Sequence, residues 1–188
     1  MGNTQSCGCL QKEITSIIMK KYNTYDLSGE YGIGYTSNTN EPFYFDLEDY
    51  DLIKDYCWSK DDNEYLYNRD NDTNKIIYIH RLIMNCPDNM DVDHKFHDTL
   101  DNRKEFLRIV TTSQNGMNKV LMSNNTSGVT GVCWHSRDEK WVARIIVNGK
   151  VINLGQYDNF EDAVDVRKEA EKEYFGEYRY IGNEIINN

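Results

Sequence analysis

Apolar residues along this chain fall in short runs separated by polar turns, a pattern that predicts small sheets and few helices. Phe43-Tyr44-Phe45 is aromatic and β-prone, and Asp46 closes the run. Leu47, Tyr50, Ile53, Lys54 and Cys57 fall near helical spacing, so residues 47–58 are expected to form a short helix. Tyr65-Leu66-Tyr67 and Ile76-Ile77-Tyr78-Ile79 flank the polar residues 68–74 and predict a hairpin. His80 starts a short helix. Met90-Asp91-Val92-Asp93-His94-Lys95 alternates like a strand, and Phe106-Leu107-Arg108-Ile109-Val110 predicts a second. Thr111 or Thr112 then caps a short helix carrying Gln114, Asn115 and Asn118.

The polar stretch from Ser123 to Gly128 reads as a linker. Beyond it, Trp141-Val142-Ala143-Arg144-Ile145-Ile146-Val147 predicts a strand. Asn148-Gly149 is a strong hairpin signal, and residues 150–156 return. Asp158 or Asn159 is expected to cap a helix, with Glu161 completing a capping box after Asp158. Ala163, Val166, Ala170 and Tyr174 are expected on its apolar face, and Gly176 ends it. Period two puts Trp141, Ala143, Ile145, Ile152 and Leu154 toward the helix, and Val142, Arg144, Ile146, Val151 and Asn153 outward. Trp134 is expected in the core rather than on an exposed, ligand-contacting platform.

Composition changes this picture little. The 188 residues suit one medium domain or two small ones. No apolar run approaches the roughly 20 residues of a membrane span, so no membrane partner is expected. Cys7, Cys9, Cys57, Cys86 and Cys133 have no framework spacing, which suggests reduced thiols and an intracellular protein. Charge matters more. The net charge is −10, which argues against nucleic acid as a partner until it is mapped. Residues 1–79 carry −7 and residues 158–188 carry −5, whereas 80–122 are neutral and 123–157 carry +2. Screening limits phosphate attraction to about 8 Å at physiological salt, so polyanion binding is confined to the basic strip.

The densest chemistry lies in residues 93–115. Asp93 and His94 put a carboxylate beside an imidazole at a strand end, and a hairpin followed by a helix is able to bring Asn115 near them. A neutral imidazole takes a proton from water near pH 7. Carboxylate and amide oxygens suit Mg²⁺ or Mn²⁺ better than a thiolate-rich zinc site would.

These residues carry a resemblance. His80-Arg81-Leu82-Ile83-Met84, Val92-Asp93-His94, Leu100-Asp101-Asn102-Arg103, Leu107-Arg108-Ile109-Val110-Thr111 and Gln114-Asn115 together resemble the HNH homing endonucleases of phages and mobile introns. The resemblance implies a ββα-metal core. In it Asp93 and Asn115 bind one divalent metal ion, Mg²⁺ or Mn²⁺, and His94 is the general base. Arg103 and Arg108 are candidates for phosphate, although Arg103 pairs equally well with Asp101 or Glu105. His97 reads as a solvated loop residue, and His80 as a packing or orienting one. The family's middle Asn, which ties the two strands together, is Phe106 here. A phenyl ring makes none of those hydrogen bonds, and Asn102 is the nearest substitute.

A second resemblance covers residues 128–176. Gly131-Val132, Lys140-Trp141-Val142-Ala143, Leu154-Gly155-Gln156-Tyr157 and the helix with Ala163 and Ala170 are similar to the plant-type APETALA/ethylene-response-factor (ERF) domain. That family implies a three-stranded sheet in the major groove of double-stranded DNA. Arg144 and Asn153 lie on the expected outer face here, with His135, Arg137, Lys140 and Lys150 nearby. At the other end, Met1-Gly2-Asn3-Thr4-Gln5-Ser6 fits a myristoylation pattern, with Cys7 and Cys9 as palmitoyl sites. Alternatively, Ser6-Cys7-Gly8-Cys9-Leu10 resembles the end of a zinc module that precedes some phage HNH nucleases, which makes it a truncated remnant. The remnant is the preferred reading.

The expected fold is α+β: a β-rich scaffold, a ββα-metal nuclease core, and a three-stranded antiparallel sheet packed on one helix. The expected segments are a remnant at 1–24, the scaffold at 25–79, the nuclease core at 80–122, a linker at 123–127, the ERF-type domain at 128–180 and a tail at 181–188. The expected protein is a monomeric, intracellular, metal-dependent DNA endonuclease, sited in the cytoplasm or nucleus of a host if viral. The alternative is a DNA-binding protein with an inactive nuclease site.

Overall fold

The computed structural model describes residues 22–70, 73–119, 121 and 125–180. The lipidation and zinc-remnant readings, residues 123 and 124 of the expected linker and the 181–188 tail lie outside these residues. The chain divides into two compact units, Met1–Cys86 with Asp98–Arg108, and Pro87–His97 with Ile109–Asn188. The segment 80–122 thus contributes to both.

In the first unit, strands β1 (Thr24–Asp26), β2 (Gly32–Tyr35) and β3 (Pro42–Phe45) form an antiparallel sheet with β2 in the middle. Gly32 and Gly34 lie directly under the rings of Phe45 and Phe43. A Cβ at either glycine would come within 2.3 Å of those rings, so both rings lie flat across β2. A 3₁₀ turn at Leu47–Asp49 leads into helix α1 (Tyr50–Ile53). Strands β4 (Ser59–Lys60), β5 (Leu66–Arg69) and β6 (Ile76–Tyr78) make a second antiparallel sheet, followed by helix α2 (Ile79–Ile83). Phe43, Phe45, Ile53, Trp58, Leu66, Ile79 and Ile83 form the core.

The helix expected over 47–58 is shorter, because tertiary partners claim the donors of its second half. The Cys57 amide donates to Asn68 Oδ1 at 3.0 Å, and the Trp58 amide to Asn23 Oδ1 at 2.7 Å. Buried Asn23 donates in return to the carbonyls of Tyr35 and Trp58, linking the two sheets. Residues 98–106 dock on the edge of β3. The Tyr44 amide donates to the Leu100 carbonyl at 2.9 Å, and the Asn102 amide to the Tyr44 carbonyl at 2.8 Å.

In the second unit, β7 (Asp91–His94) pairs with β8 (Leu107–Val110), whose last two residues belong to this unit. Thr111 then caps the single-turn helix α3 (Thr112–Asn115) in a full capping box with Gln114. Strands β9 (Val132–His135), β10 (Lys140–Val147) and β11 (Lys150–Tyr157) form an antiparallel sheet with β10 central. Asn148 and Gly149 both take positive φ, as a two-residue type I′ turn requires. Helix α4 (Phe160–Tyr174) packs on the sheet over Val132, Ala143, Ala163 and Val164, with Ile145, Ala170 and Phe175 beyond.

Three expectations for this unit are corrected. Asn159 is the N-cap of α4 and makes no side-chain cap bond, while Asp158 pairs with Lys140 instead of starting a capping box. The buried face of α4 is Ala163, Val164, Arg167 and Ala170, and Tyr174 is exposed. Arg167 takes a place expected for an apolar side chain because its guanidinium lies over the Phe175 ring and its charge meets Glu171 at 2.9 Å. Trp134 is half exposed, edge-on against Trp141, because β9 is an edge strand.

Candidate active site

Strand β7 is covered on both sides. Val92, Asp93 and His94 are all buried, although neighbouring strand residues point to opposite faces. A buried carboxylate must be compensated by hydrogen bonds or charge. Asn118 supplies hydrogen bonds to both oxygens of the Asp93 carboxylate: its Nδ2 lies 2.9 Å from Oδ1 and 3.0 Å from Oδ2. The same amide lies 3.2 Å from the His94 carbonyl and 3.5 Å from that of Lys95. Asn118 is itself 3% exposed.

Asn118 was expected on α3 beside Asn115. The helix ends at Asn115, and Asn118 lies just past it. The half-buried Asn115 side chain is carried by the last residue of α3. His97 is not the solvated loop residue expected. Its Nε2 lies 3.0 Å from Asn118 Oδ1, and its ring sits edge-on to Tyr180 at 4.9 Å. The chain adopts φ +63° at His97, which turns the loop back toward Asn118. Spacing offered one clue to Asn118: it lies three residues after Asn115, as neighbours on one helical face do.

The other expected site residues sit as follows. In the first unit, His80 is buried against the rings of Tyr65 and Tyr78, at 5.3 and 5.6 Å. Asn102 is fully buried and donates to the carbonyls of Leu100 and Thr99, so it shapes its own loop. Arg103 makes a two-pronged pair with Asp101, Nε to Oδ1 at 2.9 Å and a terminal nitrogen to Oδ2 at 2.6 Å. That pair holds the guanidinium above its usual pKa. Its guanidinium also lies over the rings of Tyr31 and Phe106, at 4.5 and 4.4 Å. Phe106 is therefore the stacking partner of an arginine. Arg108 is half-buried on β8.

On the C-terminal sheet, Arg144, Asn153, His135, Arg137 and Lys150 are exposed. Lys140 is paired with Asp158, and His135 Nδ1 lies 3.2 Å from Asp138. Asn153 Oδ1 accepts from the Gly155 amide at 3.1 Å, at a bulge where Leu154 has no partner opposite. Ile146 and Val151 stand exposed on the same face.

Asp93 and Asn115 offer hard oxygen donors, the set that Mg²⁺ or Mn²⁺ takes. The residues therefore fit a cation held by two side chains plus water and phosphate. Among the described residues no group of three or more His, Cys, Asp or Glu is gathered for a metal.

Residues 78–117 match the family model for HNH endonuclease. The match supports a nuclease of the HNH family, a hydrolase that acts on DNA and generally uses a divalent metal. No curated protein and no solved structure matches the chain. No helix among the described residues is long and apolar enough to cross a membrane.

Proposed function

We propose that the chain is a homing-type DNA endonuclease, with His94 as general base and Asp93 and Asn115 as ligands of one Mg²⁺ or Mn²⁺ ion. The reading rests on one observation. Inside the segment that matches HNH endonucleases, an acid and an imidazole lie adjacent and buried at a strand end, with the acid held by a dedicated amide. His94 takes the proton of the attacking water on a ring nitrogen. Asp93 and Asn115 hold the cation, which when bound stabilises charge on the leaving oxygen. Burial limits competing water around the imidazole.

The C-terminal sheet is proposed to dock on double-stranded DNA, in the manner of the ERF-type domains that it resembles. Charge separation supports this. Arg144 and Asn153 lie on the outer face, whereas Glu161, Asp162, Asp165, Glu169 and Glu173 are exposed on α4. The chain is taken as a monomer inside a host cell.

The test is nicking of supercoiled DNA by the full chain with Mg²⁺ or Mn²⁺. Nicking is expected with either metal and is expected to stop with EDTA. Cleavage that persists in EDTA would sink the metal-dependent mechanism.

Phe106 favours a second reading, a DNA-binding protein with a disabled nuclease site. The variant Phe106→Asn separates the two. It is expected to raise the nicking rate by restoring an amide where the family keeps one. It is also expected to lose about 0.5–1 kcal/mol of stability with the Arg103 stacking. A nicking rate equal to that of the parent removes the idea that Phe106 impairs the site.

A further inference from the structure

Asn118 reaches three parts of the proposed centre at once. Its Nδ2 serves both oxygens of Asp93 and the His94 carbonyl. The direction of the amide follows from charge: turned over, its Oδ1 would face two carboxylate oxygens. Nδ2 therefore faces Asp93, and Oδ1 accepts from His97 Nε2. One proton of the imidazole is thereby assigned, and Tyr180 packs edge-on against the ring. The chain of contacts runs from Tyr180 through His97 and Asn118 to the acid, all within one unit.

A carboxylate on a two-stranded sheet has rotamer freedom about its side-chain torsions. Two hydrogen bonds from one NH₂ group remove it. They fix the plane of the carboxylate, and the lone pairs that remain then have a set direction. The bond to the His94 carbonyl fixes the backbone between acid and base as well.

We propose that Asn118 is the positioning residue of this centre: it aims the Asp93 carboxylate at the cation, and His97 holds Asn118 in place. This rests on the reading of Asp93 as a metal ligand. Outer partners of this kind alter metal affinity by roughly 10–100-fold when removed. A residue that only supports the fold alters the melting temperature and leaves affinity unchanged.

The test titrates Mn²⁺ into the full chain by calorimetry without DNA, with a thermal melt for each variant. Asn118→Ala is expected to bind Mn²⁺ about 10–100-fold more weakly. The Mn²⁺ concentration that half-saturates nicking is expected to rise by the same factor, with the rate at saturating Mn²⁺ largely recovered. His97→Ala is expected to shift both in the same direction by less. Asp93→Ala is the control for the underlying reading and is expected to abolish binding. Loss of binding in Asp93→Ala with parental affinity in folded Asn118→Ala overturns the role of Asn118 alone. Parental affinity in Asp93→Ala, or no binding by the parent chain, overturns the metal-ligand reading and this inference with it. Where Asn118→Ala gives no cooperative melt, His97→Ala decides: weaker Mn²⁺ binding at the parental melting temperature supports the proposal, and parental affinity overturns it.

Discussion

Nicking by His94→Ala is expected to fall about 10²–10⁴-fold, the range that a positioned general base contributes. The loss should appear in kcat, because His94 is assigned to the water and not to DNA binding. Mn²⁺ affinity should change little, since the proposed ligands are the side chains of Asp93 and Asn115. DNA affinity should be close to that of the parent, since the proposed docking face is the C-terminal sheet. His94 is buried, so its truncation leaves a cavity and costs some stability. A melt recorded beside the assay separates that cost from lost chemistry, and an assay well below the melting temperature removes it. A folded His94→Ala chain that nicks within a few-fold of the parent would require another base. His97 would be a poor replacement, because its Nε2 proton is committed to Asn118.

The second large effect is on stability. Gly131→Ala is expected to destabilise the second unit by roughly 2–5 kcal/mol, combining a left-handed backbone cost with overpacking. Gly131 has φ +78°, and a Cβ there would lie 2.3 Å from the Arg144 carbonyl oxygen and 2.5 Å from Arg167 Nε. Neither neighbour yields easily. The Arg144 carbonyl belongs to the central strand, whose amide at the same residue donates to the Gly131 carbonyl at 2.8 Å. Arg167 is 4% exposed between α4 and the sheet, and burial pushes its guanidinium below its usual pKa. Displacing it would strain a buried charge whose ion-pair partner is Glu171. Gly128→Ala is the matched control. Its φ is +79°, yet no atom lies within 4 Å of the added carbon, so only the backbone cost of about 1–2 kcal/mol applies. Urea unfolding of both variants measures the difference. Equal losses would show that close approach contributes nothing at Gly131.

Much of the C-terminal unit was legible in the sequence because local rules govern it. Period-two alternation divided β10 and β11 into a face toward α4 and a face outward, and exposed Arg144, Ile146, Val151 and Asn153 follow it. Asn148-Gly149 specified its turn through two positive φ angles that few other pairs accept. Local rules failed where distant partners compete. Asp158 had the spacing of a capping box, but Lys140 on the neighbouring strand took its carboxylate. Residues 47–58 had helical spacing, but Asn68 and Asn23 took the amides of Cys57 and Trp58. Arg167 lies outside the apolar face that spacing assigned to the helix and is buried.

The proposed site divides in the same way. The adjacent acid and imidazole of Asp93-His94, the capped turn after β8 and the Asn115 that follows are consecutive or near in sequence, and the chain's residue types determine them. The resemblance that sets Phe106 where the HNH nucleases keep Asn is equally read from sequence. The use of Phe106 as a ring over Arg103 is not, because that contact needs Asp101 to orient the guanidinium. Nor does the sequence give the hold on Asp93. Asn118 lies 25 residues from that carboxylate and 21 from His97, and only the packing of β7 against the segment after α3 brings the three together. Short-range periodicity and turn chemistry act over a few residues, and the sequence expresses them directly. Burial of a charge, and the choice of an amide to meet it, depend on which distant surfaces meet, and tertiary structure alone decides that.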